Sequence, residues 1–245
     1  MHSFASGGEP VKPLTQVNKE FLVVVHIVYN KDSSAEMNVA NIQTTFTQLN
    51  TLFKPIGVSF SICEYRYIYN YQYDTLTNQQ LNEVSTRYNA LNRINMYFVE
   101  AFVPVGGECG VAALGGIAFP STGFIFIKKS CPDINTIGHE MGHFFSLLHT
   151  FQGSGSELVN ESNCSTAGDD VCDTPSDPYS YPDAISLYIT NGCQFISTKK
   201  DANGQFYNPD LGNIMTYYTP CVCAKFSHDQ YEKMATYYLA NPVAW

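Results

Sequence analysis

Apolar positions along the 245-residue chain fall into two regimes. In the first half they recur with the periods of regular structure. Residues 21–29 (FLVVVHIVY) form a near-continuous apolar run rich in β-branched side chains, the pattern of a strand buried on both faces. Over residues 35–53 the side chains of Val39, Ile42, Phe46, Leu49 and Phe53 step by three and four, which predicts a helix, and Pro55-Ile56-Gly57 ends it. Residues 58–69 alternate Val58, Phe60 and Ile62 with Ser59, Ser61 and Cys63, a strand period. A short helix is expected within 77–91 and a strand at 94–102, and Gly-rich turns bracket two short strands, 116–119 and 124–127. Strands alternating with helices imply an α/β unit with a mixed sheet.

The second half loses this periodicity. Residues 151–198 hold no Lys or Arg, seven acidic residues and three cysteines, a long acidic loop region expected to be tied down by disulfides and a cation. A final helix over 227–240 opens on Ser227 with Gln230 three residues on, the signature of a capping box.

Composition narrows the classes. With 44% apolar and 14% charged residues the chain has a core to bury, so disorder is excluded. The net charge of −9, from 13 basic and 22 acidic residues, argues against nucleic acid and anionic membranes as partners. The longest apolar run, 21–29, is too short to span a bilayer, so no membrane insertion is expected. Residues 1–10 (MHSFASGGEP) lack the charged start and apolar stretch of a signal peptide and are expected to belong to an N-terminal extension or processing remnant covering 1–16. Eight cysteines, none in a CxxC pair, point to disulfides and hence to a secreted, extracellular protein.

One segment carries chemistry: His139-Glu140-Met141-Gly142-His143, with His149 six residues further on. Residues four apart share a helical face, so His139 and His143 can aim imidazole nitrogens at one ion about 2 Å away. Glu140 beside them suits a general base that reaches water without ligating the metal. His149 joins them as third ligand only if the helix turns sharply after His143. Three neutral imidazoles leave a fourth position open, as in catalytic zinc sites. Single histidines elsewhere, His26 and His228, read as packed or capping residues, and Asn160 and Asn163 open glycosylation sequons.

HExxHxxxxxH followed by a later Met resembles the metzincin zinc endopeptidases. His149-Thr150-Phe151, residues 168–175 (GDDVCDTP), 213–217 (NIMTY) and 226–230 (FSHDQ) resemble the pappalysin (cytophagalysin) family within them. The resemblance runs from about residue 21 to the last helix. It implies an α/β (α+β) zincin-like catalytic domain over 17–245, with a mixed, mostly parallel sheet and active-site helix in an upper subdomain (17–149). A loop-rich lower subdomain (150–245) would carry the Met-turn. It implies zinc on His139, His143 and His149, Glu140 as general base and then acid, Met215 as the floor beneath the metal, and Tyr217 as an oxyanion stabiliser. It also places Gly116, Ile117, Ala118 and Phe119 on the edge strand that would take up an extended peptide.

Further expectations follow from the resemblance. Structural calcium is expected on Asp169, Asp170, Asp173 and Thr174, whose oxygens suit a hard cation. Cys164, Cys172 and Cys193 are expected to pair among themselves or with Cys221 or Cys223, and Cys109 is paired with Cys131 without a residue-level argument. Most metzincins carry Gly where this chain has Ser146, which implies a positive φ there at a cost of roughly 1 kcal/mol. The function implied is a secreted zinc-dependent endopeptidase, monomeric, that hydrolyses extended protein or peptide substrates through a metal-activated water. Residues 216–224 (TYYTPCVCA), expected to wall the pocket behind the zinc, hold no acid, so no strong preference for Arg or Lys after the cut bond is expected. Two alternatives are a catalytically silent zinc- and calcium-stabilised extracellular binding module, which would not need Glu140, and an aminopeptidase with a Glu as third ligand. Glu157 and Glu161 lie too close to the second His for that role.

Overall fold

The computed structural model describes residues 12–32, 34–35, 37–103 and 108–241; residues 1–11 of the expected N-terminal extension lie outside them. In chain order the regular elements are β1 (Lys19–Val28), α1 (Val39–Phe53), β2 (Val58–Ile68), β3 (Thr75–Thr77), α2 (Asn78–Tyr88), β4 (Ile94–Val99), β5 (Ala101–Val103), β6 (Gly110–Ala112), β7 (Ile125–Lys128), α3 (Ile134–Phe144) and α4 (His228–Ala240). The main sheet has the order β2-β1-β4-β7-β6. Its first four strands run parallel, and β6 closes the edge antiparallel to β7. A mixed α/β sheet is thus present, as the alternation of periods implied, and its strands are mostly parallel, as the resemblance implied.

Parallel neighbours need a crossover, and α1 supplies it between β1 and β2. Its apolar stripe of Ile42, Phe46, Leu49 and Phe53 packs against Phe21, Val23, Val25 and Ile27 of β1 in one core, which also takes Ile137, Met141 and Phe144 of α3. The other face of the sheet, with Val28, Tyr97, Val99 and Phe126, is covered by Leu81 and Val84 of α2. Because β1 is covered on both sides, six of its residues in a row, Val23 to Val28, are buried, which is why it reads as an unbroken apolar run. Each large side chain taken fully out of water contributes about 1.5–3 kcal/mol, so these two layers hold the sheet rigidly beneath α3.

Local chemistry sets the boundaries. The helix expected from residue 35 starts at Val39 because the Asn38 side chain accepts from Ala40 N and caps it. The strand expected over 94–102 breaks into β4 and β5, since Glu100 N and Ala101 N both donate to Asp74 O, at 2.8 and 3.1 Å, and turn the chain toward β3. The capping boxes of α2 (Thr77, Gln80) and α4 (Ser227, Gln230) are formed.

One expected strand is absent. Residues 116–119 do not lie on the sheet edge: Gly116–Ala118 is a 3-10 turn, entered from Gly115 at φ 65°, with Ile117 buried in the core. Successive bonds from Ala118 N to Gly115 O and from Phe119 N to Gly116 O close this turn and use the groups a ladder would need. The edge strand is β6, Gly110–Ala112, whose outer side pairs with no other described strand.

Beyond α3 the backbone between residues 150 and 226 holds, among the described residues, one 3-10 turn and three isolated bridges. Disulfides Cys164–Cys172 and Cys193–Cys221 tie this half, and Cys109–Cys131 anchors the residue before β6 to the loop leading into α3. Cys223, expected to be bonded, is instead an exposed free thiol, as is Cys63, because Cys193 closes on Cys221 and leaves Cys223 without a counterpart.

Candidate metal centre and cleft

α3 begins at Asp133, whose side chain accepts from Thr136 N, and buries Ile137, Met141 and Phe144 against the sheet. That phase turns His139 and His143 to the opposite side. The helix ends in a Schellman motif: Ser146 N bonds to His143 O at 2.8 Å and Leu147 N to Gly142 O at 2.9 Å. Ser146 takes the left-handed position at φ 79°, so the positive φ expected there is present without glycine. This turn redirects the chain and brings His149 back to the helix.

The three Nε2 atoms then converge. His139 to His143, His143 to His149 and His149 to His139 are separated by 3.1, 3.0 and 3.2 Å. They are not hydrogen bonded to one another in any simple sense. His139 Nδ1 lies 2.7 Å from Ile214 O and His143 Nδ1 lies 2.7 Å from Leu147 O. A carbonyl only accepts, so both Nδ1 atoms carry the proton and both Nε2 atoms present lone pairs. Two lone pairs facing each other with a third imidazole across from them repel unless a cation sits between. Tetrahedral ligation with metal–nitrogen bonds of about 2.05 Å places nitrogens about 3.3 Å apart, close to the spacing found. Burial, followed by the neighbouring imidazoles, pushes His139 down to about 3 and His149 down to about 2, and burial lowers His143 as well, so all three are neutral imidazoles at ordinary pH, the form a metal takes up. Among the described residues the only other group of three acids and histidines close enough to share an ion is Asp173, His228 and Asp229, in which the two acids are exposed and the imidazole half-buried.

Beneath the triad, Met215 is fully buried. A Cβ on Gly142 would lie 2.5 Å from Met215 Sδ, so glycine at this position is what lets the thioether come under the helix. The turn carrying Met215 is fixed by Asn213, whose side chain accepts from Met215 N at 2.9 Å and donates to Gln230 of α4 at 2.8 Å.

Glu140 is buried, and burial together with Glu108 pushes its carboxyl up to about 8. A cation held between the imidazoles would draw it back toward the ionised range. Its carboxylate reaches the start of β6, where a Cβ on Gly110 would meet Glu140 Oε1 at 2.8 Å. The ring of Tyr217 packs 4.7 Å from His149 and 5.8 Å from His139, and burial, then Glu140 and Glu108, raises its phenol well above the ordinary range. Two cavities of about 710 and 410 Å³ meet here and share Glu108, Gly110, Glu140 and Tyr217. They form a groove that runs along β6 and past the three histidines. The larger one is walled by Thr216, Tyr217, Thr219 and Val222, from the segment expected to wall it, and by Tyr179, Tyr181, Asp183, Ala184 and Ile185.

The acids proposed for calcium are not gathered. Both Asp169 oxygens accept from Thr174 Oγ1, at 2.9 and 3.0 Å, while Asp173 turns away to accept from Ser227 Oγ and Asp229 N at the start of α4. Lys233 Nζ donates to Asp169 O at 2.7 Å, so the loop receives its positive charge from α4. Sequence reasoning also passed over Asp177. This buried carboxylate accepts from Thr150 Oγ1 (3.0 Å), Tyr179 N (3.0 Å), Thr216 Oγ1 (3.5 Å) and Tyr218 Oη (2.7 Å). It joins the residue after His149 to both neighbours of Tyr217, and no spacing in the chain signals that.

The sequence profile of peptidase family M43, described as pregnancy-associated plasma protein-A, matches residues 112–238, more than half of the chain. The chain belongs to the M43 metallopeptidases. A profile described as reprolysin-like metallopeptidase family M12B matches residues 39–150. Relatives include an extracellular metalloprotease of Podospora anserina, 26% identical over 71% of this chain and 61% of that one. One of Coccidioides posadasii is 30% identical over 52% and 47%, and one of Sordaria macrospora 23% identical over 96% and 78%. The chain thus spans about half to three fifths of the length of several of the relatives it matches. Among solved structures, mature mirolysin of Tannerella forsythia, in complex with a cleaved peptide, is similar with a TM-score of 0.60 at 19% identity, over 92% of this chain and 91% of that one. That likeness concerns the fold, which is zincin-like. Membership in this family implies a catalytic metal, typically zinc, for which the His triad is present.

Proposed function

We propose that the chain is a secreted zinc endopeptidase that hydrolyses extended peptides, with His139, His143 and His149 as the metal ligands. The observation that carries this reading is the set of three converging Nε2 atoms, two of them held with lone pairs inward by carbonyls of Ile214 and Leu147. When bound there, zinc supplies Lewis acidity that polarises a peptide carbonyl and acidifies water.

The protein groups do the rest. The outer side of β6, which pairs with no other described strand, offers backbone groups to a peptide laid along the groove as an added strand. Glu140 takes a proton from the attacking water while the oxygen adds to the carbonyl carbon, and then returns that proton to the leaving amine as the C–N bond breaks. Tyr217 donates a hydrogen bond to the developing oxyanion, and its raised phenol remains protonated for that task. Met215 and the ring of Phe151, stacked 4.7 Å from His149, keep the imidazoles from reorienting. Secretion is supported by the three disulfides and by the extracellular metalloproteases among its relatives.

The test compares zinc content and digestion of a mixed peptide library for the wild type, Glu140→Gln and His149→Ala. Wild type should bind one zinc and cut; Glu140→Gln should keep the zinc and lose at least about 100-fold in rate; His149→Ala should lose both. Full zinc retention by His149→Ala would refute the ligand set, and zinc-loaded wild type that cuts nothing would favour a binding module.

A further inference from the structure

Besides Glu140, the larger cavity is lined by three carboxylates, Glu108, Asp133 and Asp183, and by no Lys or Arg. Their partners differ. Glu108 accepts from the Tyr181 phenol at 3.2 Å, and Asp133 from Thr136 N at 3.0 Å and the Thr136 hydroxyl at 3.3 Å, so both face neutral donors. Among the described residues, Asp183 alone of the three has a cationic neighbour. Lys199 Nζ lies 3.6 Å from Asp183 Oδ2. The ammonium is held there from three sides: it donates to Tyr188 Oη at 2.5 Å and to Pro178 O at 3.3 Å, and it lies 4.7 Å from the centre of the Tyr188 ring. Tyr188 Oη in turn donates to Asp183 Oδ2 at 2.6 Å, and Tyr179 Oη donates to Asp183 O at 3.0 Å. The carboxylate is thus fixed at the cavity wall with its charge offset from behind. Lys199 comes from the far end of the acidic segment and is not itself part of the cavity lining.

We propose that Lys199 tunes the charge selectivity of this cavity: by offsetting the charge of Asp183, it lowers the pull of this wall on a cationic side chain on the amine side of the cut bond. The inference rests on the endopeptidase reading for the place of the cut and reaches beyond it to specificity. Asp183 and Lys199 are both half-exposed, so the effect is a modest electrostatic one, not a buried-charge effect.

The experiment uses two peptides identical except for Leu or Arg after the cut bond, and reads the Arg-to-Leu ratio of kcat/KM. Lys199→Met should raise that ratio about fivefold over wild type, chiefly through a lower KM for the Arg peptide, and the gain should shrink in about 0.5 M salt. Lys199→Arg, which keeps the charge, should hold the wild-type ratio. Lys199→Met combined with Asp183→Asn should return to it. An unchanged ratio in Lys199→Met, with both peptides slowed alike, overturns the proposal, and so does a raised ratio that persists in the double variant. The same ratio read as Kd from peptide anisotropy on the zinc-loaded protein decides the point even where neither peptide is cut, an outcome that would refute the endopeptidase reading by itself.

Discussion

Replacing Asp177 tests whether one buried carboxylate positions the centre. Three donors lie within 3.0 Å of it, Thr150 Oγ1, Tyr179 N and Tyr218 Oη, and all three belong to buried residues. Asp177→Ala leaves them without an acceptor, at about 1–3 kcal/mol each. Relief of the cost of burying the charge offsets part of this, so the net loss should be about 3–5 kcal/mol. In a domain of this size 1 kcal/mol moves Tm by about 2–4 °C, which puts the variant roughly 10 °C below wild type. Asp177→Asn keeps an oxygen toward Tyr218 and Tyr179 N and turns an amide toward the two threonine hydroxyls, so it should lose only about 1–1.5 kcal/mol. The consequence for the site is read by chelator competition: with Thr150 and Thr216 released, zinc affinity of the Ala variant should fall about 10–100-fold. The pH dependence has a definite sign. Burial raises the Asp177 carboxyl, against the bonds it accepts, so the folded state holds its proton to higher pH than the unfolded chain. Its contribution is therefore full below about pH 4 and falls as pH rises through the higher folded value, a slope that Asp177→Asn should lack. An Ala variant that melts within about 2 °C of wild type and holds zinc equally well would refute the positioning role.

Two further outcomes are expected. Ser146→Gly should stabilise the chain by about 0.5–1 kcal/mol, because Ser146 sits at φ 79°, and Tm should rise by about 2–3 °C without change in zinc content; a lower Tm would mean that the Ser side chain contributes more than the strain costs. Burial, then Asp169, pushes Glu157 up to about 8, and burial pushes Asp169 up to about 7, so both hold protons in the folded state that the unfolded chain releases near pH 4. Stability of the 157–174 loop should then fall as pH rises from about 4 to about 8. Hydrogen exchange in that loop reads it, Glu157→Gln should flatten the trend, and faster exchange at the acid end after correction for intrinsic rates would contradict it.

How far the molecule can be read from its residues depends on whether periodicity or long-range contact decides each part. β1, α1, β2 and α4 follow from apolar phase and capping because their environments are layered and repeat along the chain. The triad follows from the helical repeat for His139 and His143, and for His149 from the need for a turn that the Schellman motif at Ser146 provides. The edge strand was legible in kind but not in place. Gly110-Val111-Ala112 is too short and too small to show alternation, whereas Gly116-Ile117-Ala118-Phe119 shows an apolar pattern that the core uses for a turn. Asp183 and Lys199 escaped notice for a different reason: the charge of a pocket is the sum over walls from distant segments, and residues 216–224 are only one of them.

The irregular half is nevertheless ordered by a consistent device. In the sheet, backbone N–H groups are satisfied by ladders; between residues 150 and 226 many are satisfied by short side chains that accept several at once. Asp201 accepts from Val159 N, Asn203 N and Gln205 N, Asn163 from Leu158 N, Asn213 from Met215 N, and Asp177 from Tyr179 N. A carboxylate held by several N–H groups fixes the loop it serves as firmly as a ladder fixes a strand, but it does so point by point and leaves no period in the sequence. The three histidines proposed as metal ligands lie where the two regimes meet. His139 and His143 belong to the helix, His149 opens the irregular half, and Ile214 of that half orients His139. A cation at the three Nε2 atoms would therefore join a rigid layered scaffold to a segment held by separate polar anchors, and the cleft between them takes its shape from both.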